Sequence, residues 1–117
     1  MFKSFKNMPV WQSAFDLSDE VFELSSILPR SEDYGLTSQI RRASNSVSAN
    51  IAEGFGRNTN KDKSHFYIMS RGSAFETQHH LKYGLKVKYF KKDKTDLLVE
   101  KYSDLIHDLN KLLKSMS

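Results

Sequence analysis

Apolar residues in this chain recur in alternating steps of four and three, and that spacing fixes the class of fold. Val10, Ala14, Leu17, Val21, Leu24 and Leu28 follow it without a break. At about 100° per residue these positions share one side of an α-helix, the seam of a bundle helix. Pro9 suits a first turn, where its missing N–H has no intrahelical partner to lose, and Asn7 or Met8 is the expected cap. Pro29 is expected to end the helix. Asp16, Asp19, Glu20 and Glu23 fall opposite the seam, as a solvated face should.

Three more segments carry the same signal. Leu36, Ile40, Ala43, Val47 and Asn50/Ile51 form the second seam, closed by Gly54 and Gly56, a typical C-terminal stop. Thr59 and Asp62 offer a capping box for a third helix, whose expected seam is Phe66, Met69, Ser73, Glu76, His80, Tyr83 and Val87. Asp93 or Thr95 is the expected cap of the fourth, with Leu98, Tyr102, Leu105, Leu109, Leu112 and Met116 on its seam. Nothing alternates with a period of two for long enough to make a strand. Two Pro and five Gly in 117 residues leave few places to turn. The prediction is all-α: one domain over residues 1–117, an antiparallel up-down-up-down four-helix bundle with helices at about 9–28, 35–54, 60–88 and 94–115.

Composition removes several alternatives. With 38% hydrophobic and 27% charged residues, the chain is too apolar for disorder and too polar for a membrane protein. No apolar run approaches the roughly 20 residues of a spanning helix, and the N-terminus lacks the apolar segment of a signal peptide. No membrane partner is expected. The absence of Cys excludes disulfides and thiolate metal sites and fits a cytoplasmic location.

Two helices carry more apolar surface than a bundle needs. Trp11, Phe15 and Phe22 sit roughly 100° from the first seam, and Tyr67, Ile68, Phe75, Leu81, Leu85 and Tyr89 point away from the expected seam of helix three. Such aromatics either widen the core or form a subunit interface. Self-association is the favoured reading, with Trp11, Phe15, Phe22 and Phe75 as interface residues.

Helix two is rich in small polar residues, among them Ser44, Ser46 and Ser48, which let helices approach closely and bond carbonyls one turn back. Gly72-Ser73-Ala74 is a similar narrow point on helix three. Asn50 and Glu76 fall on expected seams, where an unpaired polar group costs about 1–3 kcal/mol. Both need partners, and Arg42 is the candidate for Glu76, giving a polar core of Arg42, Asn50 and Glu76. A buried pair of this kind more often fixes register than adds stability.

Catalytic and metal chemistry find little support. Glu76-x-x-His79 and Asp104-x-x-His107 have the spacing of di-iron bundle ligands, but His107 lies about 180° from the Leu105/Leu109 seam. The adjacent His79 and His80 diverge by about 100° and cannot chelate one ion together. Gly54-Phe55-Gly56-Arg57 follows a helix and lacks the Gly-Lys-Ser/Thr ending of a phosphate loop. No nucleophile elbow is present. No cofactor or metal is expected, and the chain reads as a non-enzyme.

Charge is more informative. The net charge is only +4, so its location matters. Lys82, Lys86, Lys88, Lys91, Lys92 and Lys94 crowd the end of helix three and the next turn, interleaved with Tyr83, Tyr89 and Phe90. Cations at a helix C-terminus complement its dipole, which accounts for such a cluster without any ligand. They also suit a phosphate backbone, with aromatics at hand for stacking. Arg57, Lys61 and Lys63 form a second basic group at the other end of the helix. Asp96, Glu100, Asp104 and Asp108 repeat every fourth residue on helix four and would repel nucleic acid.

The stretch Pro29-x-x-Glu32-x-Tyr34-Gly35-Leu36, continuing through Gln39-Ile40-Arg41-Arg42-Ala43, Ser46-Val47 and Asn50-Ile51-Ala52-Glu53-Gly54-x-Gly56-Arg57, strongly resembles the four-helix-bundle proteins encoded in intervening sequences of bacterial 23S rRNA genes. Arg71-Gly72-Ser73-Ala74-x-Glu76 and Leu81 match a second block, and Trp11 the start of the first helix. The resemblance covers nearly the whole chain. It implies an antiparallel bundle assembled as a homopentameric ring. It also implies kinship with the accessory variability determinant of diversity-generating retroelements, which binds nucleic acid and a reverse transcriptase. In that light Arg42, Asn50, Glu53 and Glu76 look architectural. His79-His80 and the lysines after Lys82 depart from the shared pattern, so nucleic-acid binding rests on this chain's own charge. The expected function is an oligomeric, non-enzymatic RNA- or DNA-binding accessory protein; the alternative is a protein-interaction scaffold.

Overall fold

The computed structural model describes residues 2–117 and has four α-helices: α1 (Pro9–Ser25), α2 (Leu36–Phe55), α3 (Asn60–Lys86) and α4 (Lys92–Met116). Short 3-10 turns at Phe5–Asn7 and Arg30–Glu32 precede α1 and α2, and no strand occurs among the described residues. The molecule measures 43 × 24 × 20 Å, its long axis close to the roughly 40 Å that a 27-residue helix spans. No helix among the described residues is long and apolar enough to cross a membrane.

Cross-helix contacts link early positions of one helix to late positions of the next in the pairs α2/α3 and α3/α4. Between α1 and α2, Arg41 Nε donates to Ser25 Oγ at 2.7 Å. Between α2 and α3, Arg42 meets Glu76 near one end, Ser70 Oγ donates to the Val47 carbonyl at 2.7 Å, and Gly54 lies against Tyr67 at the other. Between α3 and α4, Arg71 donates to Asn110 Oδ1 at 2.8 Å and Gln78 to the Val99 carbonyl at 2.9 Å. Lys101 reaches Glu20 on α1 at 3.2 Å.

The expected seams of α1, α2 and α4 are the buried ones, with Ala14, Leu17, Val21, Ile40, Val47, Ile51, Tyr102, Leu105 and Leu109 at the centre. On α3 the expected stripe is one residue out of phase. Tyr67, Ser70, Ala74, Thr77, Leu81 and Gly84 are buried, while Met69, Tyr83 and Val87 are exposed. The true core face is mostly small and polar, so its periodicity is faint beside the larger residues one position away. Small residues win because they let α2 approach: Ser70 bonds the neighbouring backbone, and a Cβ on Gly54 would stand 2.7 Å from the Tyr67 ring. Gly72, by contrast, is exposed with nothing within 4 Å among the described residues, so of Gly72-Ser73-Ala74 it is Ala74, fully buried, that lies on the core face.

Helix ends differ from expectation at α1 and α4. α1 stops at Ser25, four residues before Pro29, and Arg41 caps it by donating to the Ser25 hydroxyl and the Phe22 carbonyl. α2 does stop at the expected glycines, with Gly56 as its C-cap, but Gly56 is right-handed and Gly54, inside the last turn, serves close packing against Tyr67. Lys91 occupies the N-cap of α4; Asp93 lies in its first turn, and the Thr95 hydroxyl donates back to the Lys91 carbonyl. Thr59 does cap α3, accepting from the Asp62 N–H at 3.1 Å.

Candidate nucleic-acid interface

The lysine cluster is built by the turn that joins α3 to α4. Tyr89 and Phe90 N–H groups both donate to the Gly84 carbonyl, at 2.8 and 3.2 Å, folding the chain back across the end of α3. Lys88 takes the left-handed conformation that this reversal needs (φ 70°), a state that disfavours side chains with a Cβ. Phe90 then drops into the notch left by Gly84 and is buried. It is therefore a core plug and not a stacking residue. Tyr89 is half-buried, its hydroxyl donating to Glu32 Oε2 at 2.9 Å.

Glu32 ties two connections together. Its Oε1 accepts from the Leu36 N–H at 3.0 Å, capping α2, while Oε2 holds Tyr89 of the lysine turn. The Leu36 N–H, and then the Tyr89 hydroxyl, hold this carboxyl below the usual carboxylate range. The same bond pushes the Tyr89 phenol up.

All six lysines are exposed, but they are not equivalent. Lys92 pairs with Asp96 one turn on, which raises its pKa. Lys91 and Lys94 border a groove between α1 and α4 whose other wall carries Glu20 and Glu23. Lys82, Lys86 and Lys88 have no ion pair among the described residues and lie on the α3 side. The acidic row Asp96, Glu100, Asp104 and Asp108 is exposed along α4.

The second basic group sits at the far end of α3 and is largely engaged. Arg57 pairs with Glu53 at 2.8 Å and lies over the Phe66 ring at 4.5 Å. Lys63 Nζ donates to the Phe55 and Gly54 carbonyls at 2.7 and 3.4 Å, satisfying the C-terminus of α2. Lys61 is exposed. The two groups do not form one patch, because nearly the whole of α3 separates them.

The expected polar core is not a core. Arg42 does meet Glu76, but their side chains are 57% and 36% exposed, so the pair lies at the surface, where such bridges contribute about 0–1 kcal/mol. The one-residue phase shift of α3 explains this, since it carries Glu76 off the seam. His80 Nε2 also meets Glu76, at 3.0 Å. Partial burial would raise the Glu76 pKa, but hydrogen bonds from His80 and Arg42 outweigh it and the net direction is down. Asn50 is half-buried and donates to the Ser46 carbonyl on its own helix at 2.9 Å.

Of the aromatic residues assigned to an interface, Phe15, Phe22 and Phe75 are 52%, 53% and 54% exposed. Trp11 is half-buried, stacked on Phe15 at 4.6 Å and edge-on to Phe5 at 5.1 Å. Phe15 and Phe22 border one groove between α1 and α2, where the Arg41 guanidinium covers Phe22 at 3.9 Å. Phe75 stands on α3, one turn beyond Arg71, and does not join that groove.

A smaller groove, of about 240 Å³, was not foreseen. It opens between the start of α2 and the last third of α3, bordered by Glu32, Leu36, Gln39, His79, His80 and Tyr83. Glu32, Leu36 and Gln39 belong to the 29–57 block, but sequence spacing gives no sign that they meet the His79-His80 pair.

No curated protein matches the chain significantly. Among solved structures, a protein of unknown function from the S23 ribosomal protein family of Bacteroides thetaiotaomicron VPI-5482 superposes with a TM-score of 0.83. The match covers 90% of this chain and 98% of that one, at 18% identity, a likeness of fold. The family model for the 23S rRNA-intervening sequence protein matches residues 6–111. By that match the chain belongs to the 23S rRNA-intervening sequence protein family.

Proposed function

We propose that this protein is a non-enzymatic, oligomeric accessory protein that binds nucleic acid, RNA in particular, through the α3–α4 turn. The observation that carries the reading is the acid-free group of Lys82 and Lys86, exposed on α3, and Lys88, exposed on the following turn, whose aromatic residues are anchored inward. Cations in the last turn of a helix relieve its dipole, which accounts for Lys86 and not for Lys82 one turn earlier. The opposed directions of the contacts between α2 and α3 and between α3 and α4 support an up-down-up-down order. Self-assembly, with five copies as the family resemblance implies, would repeat the lysine turn around a ring and multiply its field.

The test is fluorescence anisotropy with a labelled mixed-sequence RNA at several salt concentrations. Three phosphate contacts predict a log–log salt slope of about −2 on single strands. Replacing Lys82, Lys86 and Lys88 with Glu is expected to abolish binding. Absence of binding by the wild type at low salt, or an unchanged affinity in the triple variant, overturns the proposal.

A second reading, a protein-interaction scaffold, rests on the α1–α2 groove with Phe15 and Phe22 exposed beside Asp16 and Asp19. A reverse transcriptase is one such partner implied by the resemblance. Complex formation that survives nuclease and high salt, and is lost in Phe15→Asp, favours it.

A further inference from the structure

We propose that the groove between α2 and α3 holds one unpaired nucleobase of the strand whose phosphates lie on Lys82 and Lys86. This inference rests on the nucleic-acid reading above.

The groove has the chemistry of a base and not of a phosphate. Leu36 gives an apolar wall, and the exposed rings of His79 and Tyr83 offer flat faces. The Gln39 side chain is exposed and makes no hydrogen bond among the described residues, so its amide is free to donate and accept along one edge. The Glu32 carboxylate at the border repels a phosphate. Its oxygens each accept one bond, from Leu36 N and the Tyr89 hydroxyl, and each keeps a lone pair for an exocyclic amino group. At about 240 Å³ the groove is smaller than the roughly 300–1,000 Å³ of a small-molecule pocket and suits a single ring system.

The neighbours of the groove hold it in shape. Tyr89 fixes Glu32, and Glu76 fixes His80 at 3.0 Å. Lys82 and Lys86 follow His79 and Tyr83 by three residues each, which places them on the same outer face of α3, one turn on. A strand with its backbone on these two lysines can therefore turn a base inward. An acceptor such as Glu32 selects bases that carry an exocyclic amino group, adenine, cytosine and guanine, over uracil.

The experiment measures anisotropy with labelled oligo(rA), oligo(rC) and oligo(rU) and with an RNA duplex. The wild type is expected to bind the adenine and cytosine strands about fivefold or more tightly than the uracil strand. Tyr83→Ala and Gln39→Ala are expected to weaken single-strand binding by about fivefold or more, the scale of one lost base stack. Their salt slopes and duplex binding should stay as in the wild type, since no phosphate contact is removed. Tyr83→Phe, which keeps the ring, should retain the single-strand affinity. Binding within twofold of wild type in both Tyr83→Ala and Gln39→Ala, while lysine reversal abolishes it, overturns the base site and leaves the nucleic-acid reading standing. No preference for adenine or cytosine over uracil overturns the Glu32 role. No binding of any strand by the wild type overturns both proposals.

Discussion

The ring of Phe90 fills the space where Gly84 lacks a side chain: a Cβ on Gly84 would stand 2.3 Å from two ring carbons. The glycine thus sits inside a helix at a propensity cost of roughly 1 kcal/mol because it receives the plug of the following turn. Gly84→Ala is expected to destabilise the fold despite the propensity gain, by about 1–3 kcal/mol in urea melts, as overpacking does. Adding Phe90→Leu should recover part of the loss. Gly72→Ala, with nothing within 4 Å among the described residues, should instead stabilise by about 0.5–1 kcal/mol.

The Glu32–Tyr89 bond predicts a stability profile that falls at both ends of the pH scale. Glu32 is depressed by the Leu36 N–H and by Tyr89, so its contribution is present above the ordinary carboxylate range and is lost as pH falls through its lowered value. Tyr89 is raised, chiefly by its bond to Glu32, so its contribution is present below the ordinary phenol range and is lost as pH rises through its raised value. Glu32→Gln should flatten the acid limb of the urea midpoint between about pH 7 and about pH 3, and Tyr89→Phe the alkaline limb. Glu76, lowered by its partners against the pull of burial, leaves some acid dependence in both variants. An unchanged acid limb in Glu32→Gln would show that the bond contributes nothing in solution.

Three of the four helices were legible because their core faces are made of Leu, Val and Ile, whose spacing is loud. The third was legible as a helix but not in its phase. Its buried face reads Tyr67, Ser70, Ala74, Thr77, Leu81 and Gly84, four of the six too small or too polar to register as apolar. The one-residue difference in phase takes Glu76 off the seam, leaves the Arg42–Glu76 pair at the surface and turns Leu81 inward. The lysine turn was legible from composition alone. The inward anchoring of Tyr89 and Phe90 was not, because Tyr89 depends on Glu32, 57 residues away, and Phe90 on a glycine inside the helix that no apolar pattern marks.

The two candidate phases of α3 differ in a measurable way. Leu81 is fully buried and Met69 is 44% exposed. Leu81→Ala should cost about 2–5 kcal/mol, the range for a core truncation, while Met69→Ala should cost well under half of that. Equal losses at the two sites would mean that the helix is rotated toward the Met69 stripe.

Tyr102 is fully buried on α4, and its hydroxyl has no hydrogen-bond partner among the described residues. Burial, with a smaller effect of the Glu20 charge, pushes its phenol far up, so it stays neutral across the working range. A buried hydroxyl without a partner costs about 1–3 kcal/mol, and the ring alone keeps the packing. Tyr102→Phe is therefore expected to raise the thermal midpoint, by about 1 kcal/mol in stability. A lower midpoint would mean that the hydroxyl is hydrogen-bonded in solution, to an internal water, and that the site is polar by design.

Self-association rests on surface that the single chain leaves uncovered. Phe15 and Phe22 flank the α1–α2 groove, and Phe75 stands on α3, each more than half exposed. Isolated apolar side chains are ordinary on a surface, but two aromatic residues on one groove form a patch of the kind that interfaces bury. Light scattering at micromolar concentration is expected to give a multiple of the 13.5 kDa chain mass. Phe15→Asp with Phe22→Asp should reduce that mass to a monomer while the helical circular-dichroism signal stays unchanged, because neither ring supports the core. Phe75→Asp separates two geometries. A closed ring built from two different faces loses its mass when either face is altered, whereas an assembly built on the α1–α2 groove alone keeps its mass when Phe75 is changed. A wild-type protein that scatters as a monodisperse monomer would remove the assembly, and with it any gain in field from repeating the lysine turn.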